Sequence, residues 1–399
     1  MRPPLTNAKP PRSILIVLPT WVGDFVMATP ALRAIRQRFP KAEIAFLAEP
    51  NLVDVIRGGD WMDDVLEWPA KARRRPWHRE YRALVAHLRE REFDWCVLLP
   101  NSFRSALLAW QSSANRRIGY NRDGRGWLLT DRIPVKNYVG RFRYSPFAIR
   151  HLNPPLPHGR GSDMDGRGSE WLRGRYRPMP IVVYYADLAE HLGCKRPGDQ
   201  LELFTTEDGD ESIHERLSTL GITNRHPLVV ISPGAKFGAS KCWLPERFAA
   251  TADRLIDECH ASVIVTCGPG EEPIAQAIKA AMRREAVVCD EQKFSLGEMK
   301  SLVKRCDLLI CNDAGIRHFA KAFGVPVVTI FGPTHPEWTV TSYPRETIVR
   351  IDVDCGPCQQ KICPLGHHKC MTGVEVEMVV AAAKRWISAP AAIGVTVLT

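Results

Sequence analysis

Short apolar runs alternate with helical patterns along this chain, and the alternation occurs in both halves. In the first half, apolar runs at 14–18, 44–47 and 95–99 predict strands, and residues at 31–39 and 81–91 have helical spacing. Uninterrupted apolar runs indicate strands that are buried on both faces of a parallel sheet. Strands that alternate with helices are typical of a doubly wound α/β sheet.

The second half repeats the scheme and predicts a second domain. Predicted strands at 228–232, 263–266, 308–311 and 327–331 alternate with predicted helices at 244–259, 274–284, 316–323 and 374–387. A chain of 399 residues is also too long for one ordinary core. We therefore predict two Rossmann-like domains, 1–185 and 226–399, joined by a linker region at 186–225.

A segment rich in Pro, Gly and Arg, at about 153–177, interrupts the alternation. It contains Gly-Arg-Gly-Ser twice, at 159–162 and at 166–169. Such a composition cannot bury a core, so a low-complexity surface insertion is predicted. A Gly/Arg segment that binds RNA is the weaker alternative, because two short copies are little evidence.

The net charge of +10 is unevenly distributed along the chain. Residues 1–177 hold 31 Lys and Arg against 17 Asp and Glu, whereas residues 178–399 hold 23 against 27. Either the first half has a solvated Arg-rich surface or it meets an anionic partner. No nucleic-acid motif is present, so a nucleic-acid partner is not expected, and a phosphorylated glycolipid at a membrane surface fits the charge equally well.

Two observations on apolar length favour a cytoplasmic protein. No window approaches 18 uncharged apolar residues, so no membrane span is predicted. The run at 14–18 is too short for a secretion signal and is closely followed by Asp24, so we interpret it as a buried first strand.

The first segment with chemical character is Pro-Thr-Trp-Val-Gly-Asp at 19–24, directly after the first predicted strand. In open α/β sheets, ligands bind outside the carboxyl ends of the strands. Gly23 would let the backbone approach a ligand closely, and Asp24 would be a lone carboxylate suited to general base catalysis. The alternative is that Asp24 only caps the following helix.

The second segment, at 232–245, links the strand 228–232 to its helix. Gly234 and neighbouring small residues, together with Lys236 and Lys241, suit a diphosphate, because backbone N–H groups donate and lysines neutralise charge. It is not a Walker motif, since the Lys-Ser/Thr ending is absent. A loop that merely exposes two lysines is the alternative.

The third segment follows the strand 308–311 and opens a helix, where free N–H groups and the helix dipole favour anions. Its candidate residues are Asn312, Asp313, Ala314, Gly315 and His318. Asp313 is an unusual partner for phosphate, so it could instead orient Lys241 or the sugar. A fourth segment, Phe-Gly-Pro-Thr at 331–334, has turn chemistry at a strand end.

The chain has twelve cysteines, and several of them lie in apolar strand-like runs typical of buried thiols in a reducing compartment. Four others, Cys355, Cys358, Cys363 and Cys370, lie within sixteen positions. They could hold a structural metal as zinc or an iron–sulfur cluster, but the spacing fits no standard zinc module well. Reduced thiols or local disulfides are the alternatives.

Taken in order, these four segments resemble glycosyltransferase family 9, the ADP-heptose:lipopolysaccharide heptosyltransferases. The resemblance is carried by Trp-Val-Gly-Asp at 21–24, Ser-Pro-Gly-Ala at 232–235 with Lys-Cys-Trp at 241–243, Asn-Asp-Ala-Gly at 312–315 with His318, and the segment 331–334. It covers about residues 13–385 and implies a GT-B architecture, in which two Rossmann-like, doubly wound domains face each other across a cleft. The N-terminal domain would bind the acceptor and the C-terminal domain the nucleotide sugar.

The resemblance also implies roles for individual residues. Asp24 matches the proposed general base and Lys241 the lysine that contacts the phosphates. Asp313, Gly315 and His318 match the donor-binding loop, and Glu271 or Glu272 is expected near the ribose, with Glu271 taken as the candidate. Thr20, Gly23, Asn101 and Arg104 are the candidate acceptor-binding residues.

The predicted function is transfer of a heptose from ADP-heptose to an anionic lipopolysaccharide core-type acceptor at the inner membrane surface. The reaction would be inverting and would require no cofactor or metal. The alternatives are a same-fold transferase for another nucleotide sugar, a non-catalytic nucleotide-sugar-binding protein, and a metal or redox protein built around the cysteines.

Overall fold

The computed structural model describes residues 9–69, 78–134, 179–222 and 226–388. Their contacts divide them into two compact units. Unit 1 comprises the described residues up to 134, residues 179–204 and residues 337–341, and unit 2 comprises the remaining described residues from 205 onwards. The predicted insertion at about 153–177 lies outside the described residues. The boundary between the two units at 204/205 falls inside the predicted linker region, 186–225.

The described part of unit 1 forms a six-stranded parallel sheet in the order β3-β2-β1-β4-β5-β6. The strands are β1 (Ser13–Val17), β2 (Glu43–Ala48), β3 (Asp64–Glu67), β4 (Trp95–Leu98), β5 (Arg116–Tyr120) and β6 (Asp131–Ile133). The helices are α1 (Val22–Arg38), α2 (Pro50–Ile56), α3 (Arg79–Glu90), α4 (Phe103–Gln111) and α5 (Ile181–His191).

Helix α1 packs against α5 and contains Pro30, which cannot donate a backbone hydrogen bond to the carbonyl of Val26. The Thr29 hydroxyl donates to that carbonyl at 2.7 Å and so satisfies it. The backbone N–H of Glu202 in turn donates to the Thr29 hydroxyl at 3.1 Å.

The predicted domain boundary at 185 falls inside α5 (Ile181–His191), and this helix belongs to unit 1.

The described part of unit 2 also forms a six-stranded parallel sheet, in the order β12-β11-β10-β7-β8-β9. Read from β9, this is the strand order of unit 1: in both sheets the first strand lies next to the fourth. The strands are β7 (Leu228–Ser232), β8 (Ser262–Thr266), β9 (Val287–Cys289), β10 (Leu308–Asn312), β11 (Val327–Ile330) and β12 (Glu346–Val349). The helices are α6 (Glu207–Thr219), α7 (Pro245–Cys259), α8 (Glu272–Ala281), α9 (Leu296–Arg305), α10 (Arg317–Phe323), α11 (Lys369–Thr372) and α12 (Val376–Ile387).

Each sheet has a switch point, where the strand order reverses direction around its first strand. In unit 1 it lies between β1 and β4, and in unit 2 between β7 and β10. Ligands of doubly wound sheets bind in the crevice that the loops form at this point, outside the carboxyl ends of the strands. The loops after β1 and β4, and those after β7 and β10, are therefore where functional side chains are expected.

The predicted α/β fold with two Rossmann-like units is confirmed. Among the helices that the structure describes, none is both long and apolar enough to cross a membrane.

Candidate functional site

The loops after β7 and β10 bring Lys241 and Asp313 together in unit 2. The Lys241 ammonium donates to Asp313 Oδ2 at 2.5 Å and lies 3.3 Å from the Asp313 carbonyl oxygen. The ring of Phe237 lies 4.7 Å from the same ammonium, a cation–π distance. An ammonium has three N–H donors, so Asp313 leaves at least one donor of Lys241 for a ligand.

Asp313 is itself held from two further sides. The Thr334 hydroxyl donates to Asp313 Oδ2 at 2.7 Å, and Arg317 Nη1 donates to Asp313 Oδ1 at 2.9 Å. Burial acts to raise the pKa of Asp313, but the charges of Lys241 and Arg317 and these hydrogen bonds outweigh it, so the pKa lies below its ordinary value. Asp313 is therefore an ionised carboxylate that holds Lys241 in place, and orienting Lys241 is one of the roles considered for it above.

Gly234 and Glu271 also meet in this unit. A Cβ atom added to Gly234 would collide with the Glu271 carboxylate, so only glycine allows the two loops to approach this closely. Glu271 Oε2 accepts a hydrogen bond from the backbone N–H of Gly268 at 2.8 Å, which fixes the carboxylate beside the segment 232–245. The structure thus groups two predicted donor-binding residues that are 37 positions apart.

Other predicted donor residues occupy different positions. Lys236 is exposed, and Ala314 and Gly315 are half-buried in the turn that precedes α10. Asn312 is fully buried: its amide donates to the Pro233 carbonyl at 2.5 Å and accepts from the backbone N–H of Trp243 at 3.2 Å, so it braces the Lys241 loop.

His318 is buried at the second position of α10, and its Nδ1 atom has no hydrogen-bond partner among the described residues. Burial, followed by the charges of Arg317, Lys321 and Lys241, lowers the pKa of His318 well below its ordinary value. The imidazole is therefore neutral and packed behind the loop, so ligand contact would require a rearrangement.

In unit 1, a cavity of about 390 Å³ lies at the carboxyl ends of β1 to β4. It is lined by Leu18, Thr20, Leu47, Glu49, Trp68, Pro100, Ser102, Arg104 and Ser105. The hydroxyl of Ser102 caps α4 by accepting from the backbone N–H of Ser105 at 3.2 Å. Two of the four predicted acceptor residues, Thr20 and Arg104, therefore share one pocket at the switch point.

The other two acceptor candidates have structural positions. Gly23 is buried inside α1. Asn101 is half-buried, and its Oδ1 atom accepts hydrogen bonds from Tyr184 at 2.8 Å and from Arg125 at 3.2 Å. Asn101 thus helps to fix the start of α4, where Ser102 is the N-cap and Arg104 lies in the first turn.

Asp24 is half-buried in the first turn of α1, whose N-cap residue is Trp21. Asp24 is therefore not the N-cap, although an acidic residue in a first turn is favourable to the helix dipole. Burial and then the charge of Asp24 raise the pKa of the buried Tyr185 phenol, so the two side chains are neighbours within unit 1.

The cysteine segment packs against the Lys241 loop. Ser240 donates through its backbone N–H to the Lys361 carbonyl at 3.1 Å and through its hydroxyl to the Gln360 carbonyl at 2.5 Å, and His368 Nε2 lies 2.7 Å from the Ser240 carbonyl. A Cβ atom at Gly238 would collide with the Lys361 carbonyl. The segment thus fixes the residue that precedes Lys241.

The four thiols of this segment, those of Cys355, Cys358, Cys363 and Cys370, are free. Burial, followed by electrostatic coupling with the other three thiols, raises the pKa of the Cys370 thiol to about 11. Within the described ranges, no group of three or more His, Cys, Asp or Glu side chains is arranged to hold a metal ion. The zinc or iron–sulfur alternative stays a prediction.

Sequence reasoning missed several neighbours of these sites. Arg317 and Lys321 follow Asp313 at intervals of four, which places the two cations on one face of the predicted helix. This spacing could have identified them as neighbours of Asp313. Glu49 and Trp68 of the unit 1 cavity, and Glu346 of β12, lack a motif that could have indicated them.

Two parallel sheets of the same strand order, each with polar side chains at its switch point, are typical of a GT-B type of fold. The sequence model of the family "Glycosyltransferase family 9 (heptosyltransferase)" matches residues 81–142 and 163–369 of this chain. The chain belongs to this family and is a glycosyltransferase.

The relatives are consistent with this assignment. The chain is 33% identical over 378 residues to a lipooligosaccharide heptosyltransferase 2 of Campylobacter jejuni, covering 93% of this chain and 97% of that protein. It is 26% identical over 344 residues to a lipooligosaccharide heptosyltransferase 2 of Haemophilus influenzae, covering 85% and 88%.

Among solved structures, the ADP-heptose lps heptosyltransferase II of E. coli superposes with a TM-score of 0.69 at 21% identity, covering 94% of this chain and 98% of that chain. A glycosyl transferase family 9 protein of Veillonella parvula gives a TM-score of 0.71 at 20% identity, covering 94% and 97%. At these identities the likeness concerns the fold.

Proposed function

We propose that this enzyme transfers a heptose from ADP-heptose to an anionic lipopolysaccharide core-type acceptor, with inversion at the anomeric carbon and without an essential metal. The observation that supports this most directly is the Lys241 ammonium, which Asp313 orients at the switch point of unit 2. The names of the relatives, all heptosyltransferases of lipopolysaccharide or lipooligosaccharide, support the choice of sugar and acceptor.

Asp24 and Lys241 have complementary roles in the proposed reaction. An acceptor hydroxyl oxygen attacks the anomeric carbon of the heptose while the bond from that carbon to the β-phosphate oxygen breaks. The hydroxyl proton passes to the Asp24 carboxylate, and ADP leaves with growing negative charge. Lys241 and the backbone N–H groups of Ala314 and Gly315 stabilise that charge.

The acceptor is proposed to bind in the cavity of unit 1. Arg104 supplies a guanidinium, which suits phosphate or carboxylate groups, and Thr20 and Ser102 supply hydroxyls. The surplus of Lys and Arg in residues 1–177 supports an anionic acceptor. We place the enzyme in the cytoplasm, at the inner surface of the membrane that carries this acceptor.

A panel of donors tests the proposal. ADP-heptose, ADP-glucose, UDP-glucose and GDP-mannose are each incubated with the enzyme and a core oligosaccharide acceptor, and nucleotide release and acceptor mass are measured. We expect ADP release and the addition of one heptose with ADP-heptose only, both in EDTA and in buffer. Turnover of another donor would reassign the sugar, and binding of ADP-heptose without turnover would indicate a non-catalytic binding protein.

A further inference from the structure

The imidazole of His368, in the cysteine segment 355–370, contacts the loop that carries Lys241. Its Nε2 atom lies 2.7 Å from the carbonyl oxygen of Ser240, the residue directly before Lys241. A carbonyl oxygen only accepts hydrogen bonds, so Nε2 carries the hydrogen and donates it. Ser240 is 2% exposed, and a buried carbonyl that loses its donor is costly. The imidazole therefore fixes the backbone at the residue before Lys241.

Ser240 has two further hydrogen bonds to the same segment. Its backbone N–H donates to the Lys361 carbonyl at 3.1 Å, and its hydroxyl donates to the Gln360 carbonyl at 2.5 Å. The bond from His368 differs from these two in its position, because the Ser240 carbonyl is part of the peptide bond that leads into Lys241. It is also the bond that a side chain of the segment makes, so a substitution can remove it alone.

The backbone of its own segment fixes the direction of the His368 imidazole. His368 is the N-cap residue of α11 and lies in the left-handed region, with φ of 50° and ψ of 27°. Its backbone N–H donates to Cys363 Sγ at 3.4 Å, and its carbonyl accepts from the backbone N–H groups of Met371 and Thr372 at 2.9 and 3.0 Å. The imidazole is thus held in place before any ligand binds.

The cysteine segment also supports the loop on the other side of Asp313. The backbone N–H of Gln359 donates to the Pro333 carbonyl at 2.8 Å. The next residue of that loop, Thr334, donates to Asp313 Oδ2 at 2.7 Å, and the same oxygen accepts from Lys241. One segment therefore holds both loops whose side chains meet at Asp313.

We propose that His368 is a positioning residue for sugar transfer: its imidazole holds the Ser240 carbonyl and thereby fixes the Lys241 ammonium where the donor diphosphate binds. The inference rests on the proposed role of Lys241. His368 acts through the backbone of the Lys241 loop and does not touch the substrate. Without the imidazole, Ser240 and Lys241 would be free to shift, and a misplacement of about 1 Å in a site of this kind can slow a reaction a hundredfold.

Two variants that differ by one methylene group test the inference. In His368→Gln, the side-chain amide nitrogen reaches about the position of Nε2 and still donates, whereas the side chain of His368→Asn is too short to reach the Ser240 carbonyl. Asparagine adopts the left-handed conformation readily, so backbone strain would not account for its effect. Binding of ADP and of inorganic pyrophosphate is measured by calorimetry, and kcat and melting temperature are measured on every variant.

We expect His368→Asn to weaken the binding of both probes about tenfold and to lower kcat, and His368→Gln to bind within about threefold of the native enzyme. His367→Asn is the matched control, because the Nδ1 atom of His367 accepts from the backbone N–H of Lys369 at 3.0 Å, a bond that asparagine can keep. His368→Gly, which adopts the left-handed conformation freely, replaces His368→Asn if the latter does not fold.

The sharpest measurement repeats His368→Asn in a Lys241→Ala background. If His368 acts through Lys241, the double variant should bind both probes within about twofold of Lys241→Ala alone, because no ammonium remains to be positioned. A purely structural role predicts that the loss caused by His368→Asn persists in that background, or that His368→Gln loses as much affinity as His368→Asn. Either result, or native affinity in His368→Asn, overturns the inference while leaving the role of Lys241 intact.

Lys241→Ala alone tests the proposed function separately. If this variant binds both probes as the native enzyme does, the proposed role of Lys241 fails, and the inference about His368 fails with it. Loss of affinity in Lys241→Ala together with native affinity in His368→Asn would overturn the inference only.

Discussion

The Lys241 ammonium donates to Asp313 Oδ2 at 2.5 Å, and both side chains are almost buried. The cation is therefore fixed in place before any ligand arrives. Groups that are fixed in advance stabilise a developing charge without reorganising during the reaction. In the proposed reaction, this arrangement lets the enzyme stabilise the leaving diphosphate with its own side chains.

Replacement of Lys241 by alanine should weaken binding of ADP-sugar by about tenfold to a hundredfold. The loss corresponds to a charge-assisted hydrogen bond of about 1.5–3 kcal/mol. Titration calorimetry with ADP measures it. Lys279→Ala, at an exposed position of α8, is the control, and the exposed Lys236→Ala should have a smaller effect. Native affinity in Lys241→Ala would mean that this lysine does not contact the diphosphate.

Replacement of Gly234 by alanine should displace the Glu271 carboxylate, because the added Cβ would occupy its position. If Glu271 holds the ribose, affinity for ADP should fall about tenfold, the scale of losing a hydrogen bond to a charged group, while affinity for pyrophosphate is unchanged. Gly198→Ala is the matched control, since a Cβ there meets no atom within 4 Å. An equal loss for both probes would instead indicate a distorted loop.

Replacement of Arg104 by alanine should act on the acceptor alone. Because Arg104 lines the cavity of unit 1, we expect the KM for the acceptor to rise about tenfold, again the scale of one charge-assisted contact, with donor affinity unchanged. Arg132→Ala, at an exposed position of β6, is the control. An unchanged KM for the acceptor would remove Arg104 from the acceptor site.

Stability should fall at alkaline pH. Burial raises the pKa of the Cys96 and Cys194 thiols to about 12, and it raises the pKa of several other thiols and of buried phenols such as Tyr120. A folded-state pKa above the unfolded value gives stability that is present below about pH 9 and is lost as the pH rises towards 12. The lowered pKa of Lys321 acts in the opposite direction between about 8 and 10.5, but it is a single group.

Melting curves between about pH 7.5 and 10.5, recorded with a reducing agent, test this expectation. Each fully buried thiol should contribute a loss of about 1.4 kcal/mol per pH unit once the pH exceeds its unfolded pKa. Cys96→Ala should therefore show a shallower decline than the native enzyme. A melting temperature that stays constant to pH 10.5 would contradict the assignment of these thiols as buried and neutral.

The sheets were largely predictable because their central strands are continuous apolar runs. The run predicted at 228–232 is β7 to the residue, and the run at 95–99 exceeds β4 by one. β5 and the edge strands were not predicted. β5 begins with Arg116 and Arg117, and β3 and β9 are short and half-buried. None of these three strands therefore has the continuous apolar run of a buried strand.

The candidate sites were predictable where chemistry depends on a local motif. Lys241 and Asp313 were identified from segments after strands, and the structure brings them into contact. Asn312 and His318 belong to the same segment as Asp313, yet the structure buries their side chains in the protein interior. A sequence does not reveal which side of a loop faces the ligand. Glu346 was missed because its partners lie 25 and 29 positions away, and only the packing of β12 beside β11 brings them together.

Asp24→Asn provides the most direct test of the central claim, that this chain catalyses sugar transfer by general base catalysis. Asparagine keeps the shape of the side chain but cannot take up the proton of the acceptor hydroxyl. The measurement is ADP release and heptose addition in a single turnover of ADP-heptose with a core acceptor, alongside the affinity for ADP and the melting temperature. We expect native affinity, a native melting temperature and transfer slowed by about a hundredfold or more. Transfer at a rate near that of the native enzyme would contradict the account.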